Sequence, residues 1–283
     1  MNKNHPPEVS VIIPTFNRAH VLTRALDSVA AQTHDNFEII VVDDGSTDNT
    51  GELLADYRGD IRVFTQPNRG VSAARNLGIR KSRGGLIALL DSDDAWTKDK
   101  LAVQTAFFRD HPDALICQTE EIWIRNGRRV NPKQKHKKPS GMIFEPSLKL
   151  CLVSPSAVMM RRTLFDLKGM FNEEFPVCED YDLWLRVARD TPVYLIDTPC
   201  TIKYGGHDDQ LSAGHSQDRY RIKSILDLVR VGSLNASQKE AAVRVLVKKA
   251  RVYANGCIKR GRKEEGAFYL QVAEEYGKET PSC

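Results

Sequence analysis

The sequence predicts an α/β fold, a mainly parallel sheet flanked by helices that turns mixed in its second half and ends in a small helical extension. Three observations carry this expectation. Up to about residue 100, short apolar runs alternate with stretches of helical periodicity, separated by brief turn signals. A hairpin signal, Asn126-Gly127, then breaks the alternation. Beyond Gly214 only amphipathic helical stripes recur.

Taken in order, Val9 to Pro14 is a continuous apolar strand closed by Pro14-Thr15. Leu22, Ala25, Leu26, Val29 and Ala30 follow at helical spacing, with Asn17 available as N-cap and an end expected near Thr33. Phe37 to Val42 is a second buried strand running into Asp43-Asp44-Gly45-Ser46, where Ser46 or Thr47 can cap the helix carrying Leu53 and Leu54. Ile61 to Phe64 is a third strand, Gly70 opens a helix over Val71 to Lys81, and Leu86 to Leu90 is a fourth strand delivering Asp91-Ser92-Asp93-Asp94 at its carboxyl end. That edge is where open α/β sheets bind ligands. Leu101 to Phe108 reads as helix, Ala114 to Ile124 and Ser156 to Met160 as strands, and Glu179 to Arg189 as a short helix with Leu183 and Val187 on one face. In the tail, Ile222, Ile225, Leu226 and Val229 form one stripe, and Val243, Leu246, Val247, Ala250, Ala254 and Cys257 another.

A chain of 283 residues can bury a core without disulfide or metal staples, which excludes a mini-scaffold, and its 41% hydrophobic and 28% charged residues argue against wholesale disorder and an integral membrane protein. A net charge of +4 is too small for the whole protein to bind nucleic acid electrostatically, so no nucleic-acid partner is expected. No apolar run approaches the roughly 18 residues that cross a bilayer, and the start lacks the apolar stretch of a signal peptide, so the expected compartment is the cytoplasm. The six cysteines are scattered with no C-x-x-C pair and read as reduced packing residues.

Neither a G-x-G-x-x-G turn nor a P-loop follows any early strand, which demotes dinucleotide dehydrogenases and P-loop NTPases. Acid sits at the strand ends instead: Asp43-Asp44, then Asp91, Asp93 and Asp94. Carboxylates beside a phosphate site need a cation between the two anions, and a divalent metal supplies one. The alternative for each cluster is a turn or helix cap.

In combination the motifs are more specific. Val11-Ile12-Ile13-Pro14-Thr15-Phe16-Asn17, Val42-Asp43-Asp44-Gly45-Ser46-Thr47-Asp48, Gly70 through Ala73-Ala74-Arg75-Asn76, Leu90-Asp91-Ser92-Asp93-Asp94 and Cys178-Glu179-Asp180-Tyr181-Asp182-Leu183-Trp184-Leu185-Arg186 resemble family 2 glycosyltransferases of the Rossmann-like GT-A fold, in the family's order and spacing. The resemblance covers about residues 8 to 212. It implies a nucleotide-sugar-binding half over residues 1–116, an acceptor-binding half over 117–213, and a helical extension over 214–283 outside it.

The resemblance also implies roles. Pro14, Phe16 and Asp44 would line the nucleoside pocket, with Thr15, Asn17 and Ser92 among the donor-binding residues. Uracil is the usual family base. Arg75 would position the nucleotide through its donor fork. Asp91 and Asp93, with Asp94 as an alternative, resemble the D-x-D element that holds Mg²⁺ or Mn²⁺ against the donor diphosphate. His207, in Tyr204-Gly205-Gly206-His207-Asp208-Asp209-Gln210-Leu211-Ser212, is the candidate third ligand; the alternative is a solvated loop histidine. Asp180 is the candidate general base, the alternative being that Glu179-Asp180 only complement a helix dipole. Trp184 either walls the acceptor site or belongs to the core, which is favoured.

From Arg125 to Lys138 the chain carries Arg125, Arg128, Arg129, Lys133, Lys135, Lys137 and Lys138 and no acid, the pattern of a mobile basic loop. It is either a solvated surface or a contact with an anionic membrane or a lipid-linked acceptor's phosphates, which would place the protein peripherally at the inner face of the membrane. The expected function is metal-dependent, inverting transfer of a hexose from a nucleotide diphosphate sugar, UDP-linked by the family's habit, to a hydroxyl of a glycan or lipid-linked acceptor in surface polysaccharide synthesis. Alternatives are a catalytically silent sugar-nucleotide-binding subunit and a sugar-phosphate nucleotidyltransferase, the latter disfavoured by the missing Gly-rich phosphate loop. Donor identity, linkage and oligomeric state stay open at this level.

Overall fold

The computed structural model describes residues 6–131, 137–206 and 217–278. Strands β1 (Val9–Thr15), β2 (Phe37–Asp43), β3 (Ile61–Thr65) and β4 (Leu86–Leu89) form a parallel block in the order β3-β2-β1-β4. Both faces of β1 are buried, which is why it reads as an unbroken apolar run. Its alternating side chains feed two cores: Ile12 joins Ile87 and Leu89 on one face, and Val9, Val11 and Ile13 join Leu22, Leu26 and Val29 on the other. The latter three belong to helix α1 (Ala19–Ala30). Helix α2 (Thr50–Asp56) follows β2, and α3 (Val71–Lys81) crosses β1 so closely that a Cβ on Gly78 would sit 2.4 Å from Ile12 Cγ2.

After β4 the sheet continues in mixed sense, as expected. Short β5 (Ala95–Trp96) leads into helix α4 (Lys100–Asp110), then β6 (Ile116–Arg125) and β7 (Arg128–Val130) form a hairpin. Its turn residues Asn126 and Gly127 have φ of 50° and 72°, the double positive φ that an Asn-Gly turn favours. Helix α5 (Phe144–Lys149), a 3-10 turn (Pro155–Ala157), β8 (Val158–Arg161), α6 (Thr163–Lys168) and α7 (Glu179–Ala188) follow, and β9 (Tyr194–Gly205) completes the order β4-β8-β6-β9-β5. Strand β9 escaped the sequence reading because Asp197, Thr198, Pro199, Thr201 and Lys203 hide its periodicity. Pro199 falls opposite Glu120, where the β6–β9 register shifts, a place where a missing N–H is tolerated.

Several sequence expectations are corrected. The basic stretch is not one long loop, since Arg125, Arg128 and Arg129 belong to the β6–β7 hairpin. Lys138 is not a solvated cation but is buried, 3.1 Å from Glu121 Oε1 and donating to the Thr119 carbonyl at 3.0 Å. Lys133 and Lys135 lie outside the described residues. Asn17 does not cap α1. It adopts a left-handed backbone (φ 54°), and its Oδ1 accepts from the Thr47 and Asp48 amides. Neither Ser46 nor Thr47 caps α2, because Ser46 Oγ accepts instead from the Asn17 amide. The strand expected from Ser156 starts at Val158, after the 3-10 turn.

Among its described residues the extension holds three helices, α8 (Gln217–Val231), α9 (Ala236–Lys259) and α10 (Lys263–Gly277), one more than the two stripes predicted. A reciprocal Asn235–Gln238 capping box starts α9, a signal present in the sequence and not used. Ser224 Oγ on α8 donates to Asp182 on α7 at 3.0 Å, and Tyr253 meets Tyr269 edge-on at 4.8 Å, so the extension is welded to the sheet domain and to itself.

Candidate active site

The carboxyl edge of the parallel block is held by loop-to-loop hydrogen bonds. Asp44 donates its amide to the Thr15 carbonyl at 2.9 Å, tying the ends of β1 and β2. Its buried carboxylate accepts from the Gly70 amide (2.7 Å), the Arg69 amide (3.0 Å) and Gln66 Nε2 (2.6 Å), so it also organises the start of α3. Gly45 between these loops has φ +79°, and a Cβ there would lie 2.9 Å from the Asn68 nitrogen, so glycine is required. Pro14 and Thr15 are buried, while Phe16, 42% exposed, presents an aromatic surface at this edge.

At the end of β4, Asp91 meets Arg75. The guanidinium, buried under the ring of Phe171 (5.1 Å), donates to Asp91 Oδ1 at 2.7 Å and to Glu179 Oε1 at 2.6 Å. Both arms of the fork are therefore spent on protein carboxylates, and the guanidinium acts between the β4 end and α7. Burial pushes the Asp91 carboxyl up, but Arg75 and Lys203 outweigh it and hold it below the usual carboxylate range. Asp93 moves the other way, raised by burial and by the neighbouring Asp91 charge. Two hard oxygen donors that repel each other at a sheet edge fit a Mg²⁺ or Mn²⁺ ion shared with a phosphate substrate. Asp94 does not fit that role. It is buried, accepts from Ser156 Oγ (2.6 Å) and the Tyr204 amide (3.3 Å), and pairs with Lys203 Nζ at 3.3 Å. Burial raises its carboxyl to about 7, with Lys203 opposing and Asp91 and Asp93 adding. Ser92 is buried beside these groups. Among the described residues no three His, Cys, Asp or Glu side chains converge as a metal cage, and His207 lies outside the described residues.

The acid helix α7 begins at an unusual backbone. Cys178 has φ 62°, left-handed for a residue that is neither Gly nor Asn, and turns the chain so that Glu179 and Asp180 open the helix. Glu179 is buried; burial raises its carboxyl to about 7 against the pull of Arg75. Asp180 instead lines a cavity of about 280 Å³ shared with Glu121, Trp123, Lys138, Cys151 and Lys203. Its Oδ1 accepts from the Tyr181 amide at 2.7 Å and its Oδ2 from the Cys151 thiol at 3.5 Å, fixing the carboxylate at the cavity wall. Trp184 is 2% exposed, packed edge-on against Phe171, and belongs to the core.

Sequence reasoning missed Lys203, Ser156, Glu121 and Trp123, and placed Lys138 in a basic loop rather than at this cavity. Ser156 Oγ accepts the Asp91 amide at 3.1 Å while donating to Asp94, linking both acids of the loop. Lys203 is aimed at Asp94 because β5 pairs antiparallel with Thr201 and Ile202. Trp123 Nε1 donates to Glu121 at 2.9 Å, and Glu121 in turn pairs with Lys138. None of these carries a motif; an acid inside the strand read from Ala114 to Ile124, Glu121, was the one available signal.

The fold is that of the GT-A glycosyltransferases. Staphylococcus aureus TarS in complex with UDP-GlcNAc matches with a TM-score of 0.66 over 98% of this chain and 93% of that one, at 19% identity. A mannosyltransferase from Pyrobaculum calidifontis in complex with GDP-Man and Mn²⁺ matches with a TM-score of 0.62 over 96% and 87%, at 18% identity. The chain itself belongs to glycosyl transferase family 2, whose description matches residues 10–167. An uncharacterised glycosyltransferase of Rickettsia felis is 37% identical over 201 residues, which is 68% of this chain and 32% of that protein, so the chain spans about a third of that relative. The Escherichia coli UDP-Glc:α-D-GlcNAc-diphosphoundecaprenol β-1,3-glucosyltransferase WfgD is 32% identical over 192 residues, 67% of this chain and 73% of that protein. No helix among the described residues is long and apolar enough to cross a membrane.

Proposed function

We propose that this chain is an inverting glycosyltransferase that moves a hexose from a UDP-linked nucleotide sugar to a hydroxyl of a glycan or lipid-linked glycan in surface polysaccharide synthesis. One observation carries the reading: Asp180 faces the cavity, while its neighbour Glu179 is tied through Arg75 to Asp91 at the donor edge. Donor and acceptor chemistry thus share one rigid frame. The E. coli relative, named for a UDP-Glc donor and a diphosphoundecaprenol-linked acceptor, supports the substrate classes.

In this mechanism Phe16 stacks on the base and Asp44 braces the loops around the nucleoside. The acceptor hydroxyl enters the cavity beside Asp180, with Trp123 offering a face for a sugar ring. Asp180 takes the hydroxyl proton as the oxygen attacks the anomeric carbon opposite the departing diphosphate. A single in-line displacement inverts the anomeric centre without a protein nucleophile. A Mg²⁺ or Mn²⁺ ion held by Asp91 and Asp93 would supply positive charge for the leaving diphosphate. Arg75 holds Asp91 in place, and Lys203 keeps Asp94 within the loop.

The test is a screen of nucleotide sugars with Mn²⁺ and candidate acceptors, followed by Asp180→Asn on the productive pair. The amide keeps size and most hydrogen bonding but cannot take the proton. Donor affinity should stay near wild type while single-turnover transfer falls roughly 10²-fold or more. Ordinary transfer rates, with at most a loss of about 0.3–1 kcal/mol in stability, would reduce Asp180 to a first-turn helix acid.

A further inference from the structure

Positive charge is concentrated in one segment of the extension. From Ala241 to Lys263 there are eight lysines and arginines and no acid, although the whole chain has a net charge of only +4, so the remainder is net negative. Lys249 and Arg262 are taken up by Asp218 and Glu265, and Arg244 by Glu240. Lys248, Arg251, Lys259, Arg260 and Lys263 are exposed and make no ion pair among the described residues. Helix α8 behaves differently, since Arg221 and Lys223 sit in ion pairs with Asp218, Asp227 and Glu174.

On α9 the unpaired cations fall on one face. At about 100° per residue, Arg244, Lys248, Arg251, Val252, Asn255, Ile258 and Lys259 lie within an arc of about 120°. Its other face is buried through Val243, Leu246, Ala250, Ala254 and Cys257. Two apolar side chains stand exposed among the cations, Val252 at 63% and Ile258 at 41%. Exposed cations alone describe a solvated surface or a phosphate-backbone contact. Cations interleaved with exposed aliphatic side chains on one helix match an interface whose outer layer is anionic and whose next layer is hydrocarbon.

We propose that this exposed face of α9 docks the protein onto an anionic phospholipid surface. The helix lies in the plane of the headgroups, Lys248, Arg251 and Lys259 meet the phosphates, and Val252 and Ile258 enter the acyl boundary. The contact is reversible, because two aliphatic side chains supply too little burial to hold the protein without the charges. It weakens with salt, since the headgroup field decays within a Debye length. The inference stands apart from the catalytic reading and concerns where the protein sits.

The experiment is co-sedimentation of the full chain with vesicles of phosphatidylcholine plus phosphatidylglycerol against pure phosphatidylcholine, at low and high salt. The wild type should bind only the anionic vesicles and release in salt. Each cation is worth roughly fivefold in partitioning, so Lys248→Gln/Arg251→Gln/Lys259→Gln should lose roughly 100-fold, with an unchanged melting temperature because the three side chains are exposed. Val252→Ser should weaken binding further, while Lys133→Gln/Lys135→Gln/Lys137→Gln should not. The proposal is overturned by equal binding of wild type and the α9 triple variant, by loss through the second triple variant alone, or by no anionic binding. Tighter binding to a single-stranded RNA, insensitive to Val252→Ser, would make the face a nucleic-acid surface and likewise overturn it.

Discussion

Arg75 offers the strongest test of how the site is held together, because one buried cation joins two carboxylates from opposite ends of the fold. Arg75→Met keeps most of the side-chain volume and removes both charge-assisted bonds, 2.7 Å to Asp91 and 2.6 Å to Glu179. Asp91 retains 27% side-chain exposure and can recover some hydration, whereas Glu179 at 8% cannot. Breaking a buried pair from one side costs about 3–5 kcal/mol. With an unfolding entropy of about 2.1 cal/mol/K per residue, that is a fall in Tm of roughly 5–8 °C.

The loss depends on pH in a direction the site dictates. The Glu179 carboxyl is raised in the folded protein from its ordinary 4.5 to about 7, so the native state holds a proton that the unfolded chain has released, and stability declines as pH rises across that interval. Without Arg75 the folded value climbs further and the decline continues above pH 7. Thermal unfolding at about pH 5.5 and about pH 8.5 should therefore show a larger wild-type-to-variant gap at the higher pH. Nucleotide-sugar affinity should fall as well, because Asp91 loses its partner. An equal gap at both pH values, or a Tm change under about 2 °C, would show that the Arg75–Glu179 pair is not the strut we describe.

Two further outcomes follow from other parts of the site and core. Lys100 is fully buried, with its ammonium against Gln104, the Ala157 carbonyl at 3.4 Å and the Trp96 ring at 4.4 Å, and burial pushes it down to about 7. The unfolded chain thus holds the extra proton between about pH 7 and 10.5, stability rises with pH across that window, and Lys100→Met should abolish this rise. The variant should be more stable by roughly 1–3 kcal/mol near pH 6.5, after allowing for the orphaned Gln104 oxygen; thermal unfolding against pH reads both effects. For the acid loop, chelation should abolish transfer and Asp93→Ala should weaken Mn²⁺-dependent donor binding by roughly 10-fold or more, measured by titration calorimetry, with undiminished transfer in chelator removing the metal from the reaction.

The parallel block was legible because its strands are short, mostly apolar and bounded by turn residues. The strand-end acids were legible for a related reason: turn chemistry and acid content are local properties. The legible part stops where side-chain environment depends on distant pairing. Lys138 reads as one of seven basic residues, yet it is buried because β6 presents Glu121 to it. Strand β9 has no period of its own and is a strand because β6 offers it a ladder of partners.

The sequence by itself determined the family, the order of elements in the parallel block and the set of acids at the sheet's carboxyl edge, since those rest on residue identity over short spans. Only the tertiary structure decided which acids face the cavity and which are consumed in holding it. Arg75 and Glu179 are 104 positions apart, and Asp94 and the Tyr204 amide that binds it 110. A hydrogen bond at that separation is set by how α7 and β9 return to the end of β4. No local preference of either segment encodes it, and the energy that selects it comes from burying the whole sheet.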